Sequence, residues 1–369
     1  MKIEVQREAL LPALISVAAV VERRQTLPIL SNLLVETTDE GFVLTSTDLE
    51  LQISSIVEGA VGESGTITLP AKKFADVCKA LPEKGRIKLE VGQGRGLIRC
   101  GRSRFALSTL PADDYPSLEG DKSDEAFEVE SDLLLRMVER TGFAMAHQDV
   151  RYYLNGLLLE VSPGALVAVA TDGHRLAKAE AALSELRAWE NQRQIIVPAK
   201  AVAELKRLLS GSAGQRAKLE IGERTLVVRV GGNVLTTKLI DGRYPDYSRV
   251  IPTELERVAV VAREELREAL GRTAVLSYEK QKGVRMTFEE GSLKLEVSNP
   301  EHEEAEEDIG IEYQGVKTVI GFNVGYWLDV LNTLEGESVE VRFRDSEVSA
   351  ILTDPQSPGE LYVVMPMRI

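Results

Sequence analysis

The chain repeats itself three times. Residues 67–90 read ITLPAKKFADVCKALPEKGRIKLE, residues 195–221 read IIVPAKAVAELKRLLSGSAGQRAKLEI, and residues 319–343 read VIGFNVGYWLDVLNTLEGESVEVRF. Each run is a β-rich entry, one amphipathic helix, a turn and an alternating strand. The copies recur about every 125 residues, far longer than the ~20–50 residues of solenoid units, so each is expected to carry its own core. A length of 369 residues agrees, since domains usually run to ~100–200 residues.

A second element repeats upstream of the first. VQREALLPALISVAAV, VESDLLLRMVERTGFAMA and VAREELREALGRTAVL each enter from a strand, carry acid in the first turn and continue with helical apolar spacing. A hairpin follows each one and ends at Asp48, Asp172 or Asn299, residues that favour turns. Turn chemistry concentrates at LPADDYPSLEGDKSDE and DGRYPDYSRVIPTELE, which places the boundaries at 1–125, 126–253 and 254–369. The expected class is α+β: three tandem similar domains, each with two helices packed on antiparallel sheets.

Composition narrows the function. The chain has 44 basic and 58 acidic residues, a net charge of −14, so nucleic acid should be repelled unless the basic side chains are segregated. No run approaches the ~18 apolar residues that span a bilayer. Two cysteines, Cys78 and Cys100, are too few for a disulfide framework, and a cytoplasmic protein is expected. GQGRG lacks the P-loop continuation and sits between strands. His147, His174 and His302 show no metal-ligand spacing, and no cofactor is expected. Asp172 and His174 in ATDGHRL could form an acid/base pair, as in a hydrolase. The aligned STDLEL of the first copy makes Asp172 read instead as the residue that ends the hairpin.

Charge is distributed unevenly. The loops after the first helix of each copy are basic or polar, with Arg23 and Arg24, then His147, Gln148 and Arg151, then Lys280 and Lys282. The last hairpin of the first copy carries Arg95, Arg99, Arg102 and Arg104. Alternation puts Arg102 and Arg104 on one side of an edge strand, with Phe105 and Leu107 on the other. The third copy instead carries PEHEEAEED, with Glu301, Glu303, Glu304 and Glu306. A basic edge at one end and an acidic segment at the other suit a head-to-tail contact, which closes into a ring or continues as a filament.

QDVRYYLNG, TDGHRLA, DGRYPDY, NPEHEEAEE, GFNVGYWLDVLN and the terminal YVVMPMRI together resemble the bacterial DNA polymerase III β subunits, the replication sliding clamps. The likeness covers the whole chain. It implies a homodimeric ring around duplex DNA that tethers polymerases and other DNA-processing proteins, loaded by an ATP-driven clamp loader, without catalysis. Geometry agrees with a ring. Two chains would supply roughly 12 helices, which at ~9–10 Å between axes make a circle about 35 Å across. Subtracting a helix diameter of ~10 Å leaves about 25 Å, enough for a duplex roughly 20 Å wide held by loose phosphate contacts.

By the same resemblance, Arg24, Gln148, Tyr152 and Tyr153 match DNA-contacting positions and Lys200 lines the bore. Ala199 stands where some members carry a second basic residue. A peptide-binding cleft is implied at Leu154, Thr171, Gly173, His174, Arg175, Leu176, Pro245, Arg249, Val250, Asn323 and Tyr326, joined by Val363, Val364, Met365, Pro366, Met367 and Arg368 of the tail. The tail also reads as a last core strand. The dimer seam is expected to set Arg102, Arg104, Phe105 and Leu107 against Val275, Leu276, Glu301, Glu303, Glu304 and Glu306. A DNA-independent interaction scaffold is the other non-enzymatic reading.

Overall fold

Six α-helices form among the described residues, two in each sequence copy: α1 (Arg7–Ala18), α2 (Ala71–Ala80), α3 (Ser131–Gly142), α4 (Ala199–Ser210), α5 (Arg263–Thr273) and α6 (Val324–Thr333). The computed structural model describes residues 1–369 apart from 23–26, 93, 123–124, 188, 190–191, 278–281 and 369. Helix α2 buries Ala71, Phe74, Ala75 and Cys78, and α5 buries Leu266, Ala269, Leu270 and Thr273, the spacing of a single helical face. Helix α1 contains Pro12, which removes one helical hydrogen bond at a cost of about 3 kcal/mol. Burying Leu10, Leu14 and Val17 at ~1.5–3 kcal/mol each outweighs that loss. Helix α6 starts at Asn323, whose side chain accepts the Gly325 N–H at 2.9 Å, a cap worth about 1 kcal/mol.

Contacts divide the chain into two compact units, Met1–Leu135 with Lys200–Leu239, and Arg136–Ala199 with Ile240–Ile369. The first unit holds a five-stranded sheet, ordered Ala60–Glu63, Lys2–Gln6, Arg86–Gly92, Arg95–Cys100, Ser103–Ser108. Its eight-stranded sheet runs Ala126–Glu130, Arg216–Ile221, Thr225–Val230, Asn233–Lys238, Leu51–Glu58, Gly41–Thr47, Asn32–Thr38, Thr66–Pro70. The second unit holds an eight-stranded sheet ordered Arg193–Pro198, Gly156–Ser162, Ala165–Thr171, Arg175–Ala182, Glu360–Val364, Ala350–Thr353, Ser338–Phe343, Arg257–Ala262. Its four-stranded sheet runs Glu304–Gly310, Ser292–Ser298, Gly283–Glu289, Thr318–Asn323.

The expectation of a separate core in each copy is therefore corrected, because sheets are shared between copies. In the first unit Asn233–Lys238 of the central copy pairs with Leu51–Glu58 of the first, setting Leu235 opposite Ile53. In the second unit Glu360–Val364 of the third copy pairs with Arg175–Ala182 of the central one, setting Val363 opposite Leu176. One rule covers both cases: the last strand of a copy pairs with the strand that follows the Asp48 or Asp172 turn in the copy before it. The pairing satisfies backbone groups that an open edge would leave bare. Two strands fall outside the rule. Ser103–Ser108 has no preceding copy and Glu304–Gly310 has no following one, and both stand at sheet edges.

Candidate functional site

The hairpins of the first two copies end in the same turn, built by the same atoms. Thr47 Oγ1 donates to the Leu51 carbonyl at 3.0 Å, and Asp48 Oδ1 accepts the Glu50 and Leu51 N–H groups at 2.9 and 2.7 Å. In the central copy Thr171 Oγ1 donates to the Arg175 carbonyl at 2.5 Å, and Asp172 Oδ1 accepts from His174 N and Arg175 N at 2.9 and 3.0 Å. The position between is left-handed in both, Leu49 at φ 77° and Gly173 at φ 90°. Glycine removes the steric penalty of that conformation. It also admits the Arg151 guanidinium, which an added Cβ would meet at 2.9 Å.

The second oxygen of Asp172 accepts Arg175 Nε at 3.1 Å. Arg175 also donates to Asp329 Oδ2 at 2.5 Å and to the Phe143 carbonyl at 2.7 Å. Its guanidinium lies 4.5 Å from the Tyr326 ring centroid and 5.3 Å from that of Phe143. Burial, then the Asp172 charge, hold the Tyr326 hydroxyl above its ordinary pKa. Both Asp172 oxygens are thus committed to two backbone N–H groups and one guanidinium. This arrangement serves a turn, not a general base, and the hydrolase reading finds no support in it.

The tail divides in two. Val363 and Val364 are core residues of the strand Glu360–Val364, whereas Met365 is 41% exposed. Met365 N donates to the His174 carbonyl at 2.9 Å and Met367 N to the Gly321 carbonyl at 2.8 Å, so residues 365–367 are held against the Thr171–Arg175 turn and the entry to α6. Leu154 and Leu176 are buried beneath, in a cluster with Leu158, Val169, Ile196, Tyr244, Ile351 and Val363. Pro245 and Arg249 are exposed, Val250 is half exposed, and Arg249 pairs with Asp246 at 2.9 Å. Asn323 faces its own helix as the cap of α6.

Gln148, Tyr152 and Tyr153 share one loop of the second unit. Gln148 adopts φ 55°, and the next residue, Asp149, clasps Arg151 Nη2 at 2.8 Å. Hydrogen bonds from Arg151, side chain first and backbone second, hold the Asp149 carboxyl down at about 2. Tyr152 and Tyr153 meet edge-on with centroids 5.8 Å apart, and Tyr152 is exposed. Lys200 belongs to the first unit, at the start of α4, with Nζ 2.7 Å from Glu22 Oε1 and in contact with Asp48 Oδ2. Arg23, Arg24 and Lys280 lie outside the described residues.

Of the residues expected at a dimer seam, Arg104, Phe105 and Leu107 occupy the edge strand Ser103–Ser108, with Arg104 exposed and the two apolar side chains half-buried. Arg102 sits in the turn before it, a correction to its placement on the strand. The turn at Gly101 and Arg102 joins two antiparallel strands that end at Cys100 and begin at Ser103. In the second unit Val275 is 79% exposed and Leu276 half-buried on the short turn Ala274–Leu276. Glu301 and Glu303 are exposed in the turn after Ser298, and Glu304 and Glu306 stand outward on the edge strand Glu304–Gly310. Glu306 pairs with Lys294 at 3.0 Å.

Sequence reasoning passed over Asp329, Phe143 and Glu22, and the pairing of Asp48 with Lys200. Asp329 is separated by 154 residues from the arginine it holds, so no local pattern marks it. Among the described residues no group of three or more His, Cys, Asp or Glu is placed to hold a metal ion, and no helix is long and apolar enough to cross a membrane.

Comparison with known proteins agrees with the threefold division. The DNA polymerase III beta subunit N-terminal, central and C-terminal domain models match residues 1–119, 128–246 and 248–368. The beta sliding clamp of Pseudomonas putida is 46% identical over 100% of both chains, and that of Escherichia coli K12 is 44% identical over the same share. The crystal structure of the DNA polymerase III subunit beta from Pseudomonas aeruginosa superposes with a TM-score of 0.95 at 45% identity, covering 100% of each chain. A Caulobacter crescentus beta sliding clamp gives 0.95 at 38% identity, covering 100% of this chain and 99% of that one. On these matches and on its three tandem copies, the chain belongs to the DNA polymerase III beta subunit family, the bacterial sliding clamps.

Proposed function

We propose that two copies of this chain, joined head to tail, encircle duplex DNA in the cytoplasm and tether polymerases and other DNA-processing proteins to it, without catalysis. The strand-pairing rule carries this reading. Every copy with a predecessor lends its last strand to the strand after that predecessor's Asp48 or Asp172 turn, which leaves Ser103–Ser108 and Glu304–Gly310 as the unmatched pair. A second protomer supplies the missing neighbour at each end, with Arg104 brought to Glu304 and Glu306. Phe105, Leu107, Val275 and Leu276 add apolar contact there, while Arg102 lies at the strand's approach and Glu301 and Glu303 at the acidic turn. Repeats bounded at 1–125, 126–253 and 254–369 make each chain half of a ring.

Attachment is then topological, and a chain of net charge −14 need not hold DNA by charge. Arg24, Gln148, Tyr152, Tyr153 and Lys200 supply weak phosphate contacts in the bore. Short linear peptides of polymerases, repair proteins and an ATP-driven clamp loader share the cleft between His174, Arg175, Pro245, Arg249, Val250, Tyr326 and the tail from Met365 to Arg368. Leu154, Leu176, Val363 and Val364 form its floor, Thr171 and Gly173 its turn, and Asn323 fixes the helix behind it. Methionines at 365 and 367 suit a site that accepts several partners in turn.

The test uses protein loaded onto nicked circular DNA. Retention on the circle with release after linearisation is the expected result. Equal retention on both forms overturns topological attachment.

A further inference from the structure

Lys200 is the one proposed DNA-contacting cation whose partners are described, and those partners are acids. Its Nζ is 2.7 Å from Glu22 Oε1 and touches Asp48 Oδ2. An ammonium has three N–H donors and no acceptor, so two carboxylates leave at most one donor for a phosphate. The cluster of one cation and two anions also carries a net negative charge, which opposes an approaching backbone.

The arrangement follows from the repeated turn. Asp48 Oδ1 is fixed by the Glu50 and Leu51 N–H groups, which aims Oδ2 outward and prevents the carboxylate from swinging away. In the central copy the equivalent oxygen of Asp172 is taken by Arg175. Residue 51 is Leu and offers no guanidinium, so the spare oxygen of Asp48 reaches Lys200 instead. Asp48 is almost covered, at 8% side-chain exposure, while Glu22 at 54% is open to solvent. Burial pulls the Lys200 pKa down, yet the hydrogen bonds it donates to Asp48 and Glu22 more than offset it and the net shift is upward. The lysine therefore remains charged and stays clasped.

We infer that Glu22 and Asp48 form a carboxylate brake that holds Lys200 back from the duplex, weakening the grip of the bore on the DNA it surrounds. The proposal rests on the reading that Lys200 faces DNA. It assigns to the two acids a role of their own: they tune affinity downward so that the protein slides instead of sticking. Neither acid touches DNA in this scheme, and both act through Lys200.

A salt titration of binding to a labelled blunt duplex tests it, read by fluorescence anisotropy with the dimer. The four proteins are the wild type, Lys200→Ala, Glu22→Gln/Asp48→Asn, and the triple variant. The Asp48→Asn amide retains an oxygen for the two N–H groups of the turn, and Glu22→Gln alone serves as the second variant should the pair not fold. The expected result is a salt slope steeper by ~0.9 in the double variant, one added phosphate contact, with affinity raised several-fold at low salt. The triple variant loses that gain, and Lys200→Ala alone changes little. A gain that persists without Lys200 overturns the brake, since simple loss of repulsion would explain it. Weaker binding in Lys200→Ala with no gain in the double variant also overturns it, while leaving the DNA contact of Lys200 intact. No change in any variant overturns both the brake and the placement of Lys200 against DNA.

Discussion

Arg175 reaches Asp329 at 2.5 Å across 154 residues of sequence, joining a turn of the central copy to helix α6 of the third. With Asp172 and the Phe143 carbonyl also engaged and the Phe143 and Tyr326 rings close by, the guanidinium has little left to offer a ligand. It works as a brace for the proposed cleft. Charge-assisted hydrogen bonds contribute about 1.5–3 kcal/mol each. Arg175→Ala is expected to lower affinity for a short polymerase peptide about 10- to 100-fold, measured by fluorescence polarisation. Asp329→Ala should follow in the same direction, and Arg175→Lys should not rescue, because an ammonium lacks the planar fork. His174→Ala should cost less, since His174 holds Met365 through its backbone carbonyl.

Reversing the basic edge should open the assembly. Arg104→Glu is expected to shift the mass in light scattering toward the 40.6 kDa of one chain, and Glu304→Lys/Glu306→Lys in the same chain should restore the dimer. A dimer unchanged by Arg104→Glu would remove the edge from the seam.

The Asp149 carboxyl, held at about 2 by Arg151, gives the loop before Tyr152 an acid limit. A depressed folded-state pKa stabilises above the ordinary carboxylate value and loses that contribution as pH falls through the folded one. The loop should keep its clasp at pH 4 and release it near pH 2. A carboxyl titration followed by NMR should place the midpoint there, and Arg151→Ala should return it toward the usual range.

Burial raises the Cys78 thiol to about 12, so at pH 8 the reactive thiolate is scarce. The folded protein is expected to resist thiol reagents at Cys78, and denaturant should make it react at once. Rapid native-state labelling of Cys78 would contradict its burial on α2.

Local periodicity in the sequence located the helices, the hairpins and the edge strand at Phe105 and Leu107, because each is specified by neighbours three or four residues apart on a helix or two apart on a strand. It did not reveal that the central copy is divided between two sheets, since strand partners such as Leu235 and Ile53 lie far apart in the chain. Arg102 matched the alternation yet belongs to the turn, where the parity of the pattern already runs before the strand begins. The same limit hid the partners of Arg175 and Lys200: a carboxylate brought in by tertiary folding leaves no mark in the residues beside it.

The open edges at Ser103–Ser108 and Glu304–Gly310 have a consequence for the newly made chain. Until it meets a partner, each protomer displays unpaired backbone that any extended segment could extend into an aggregate. Arg104 on one edge and Glu304, Glu306 and Asp308 on the other act as gatekeepers during that interval, because like edges repel each other. Substituting these charges by apolar residues would therefore do more than weaken assembly: it would turn a transient monomer into a nucleus for precipitation.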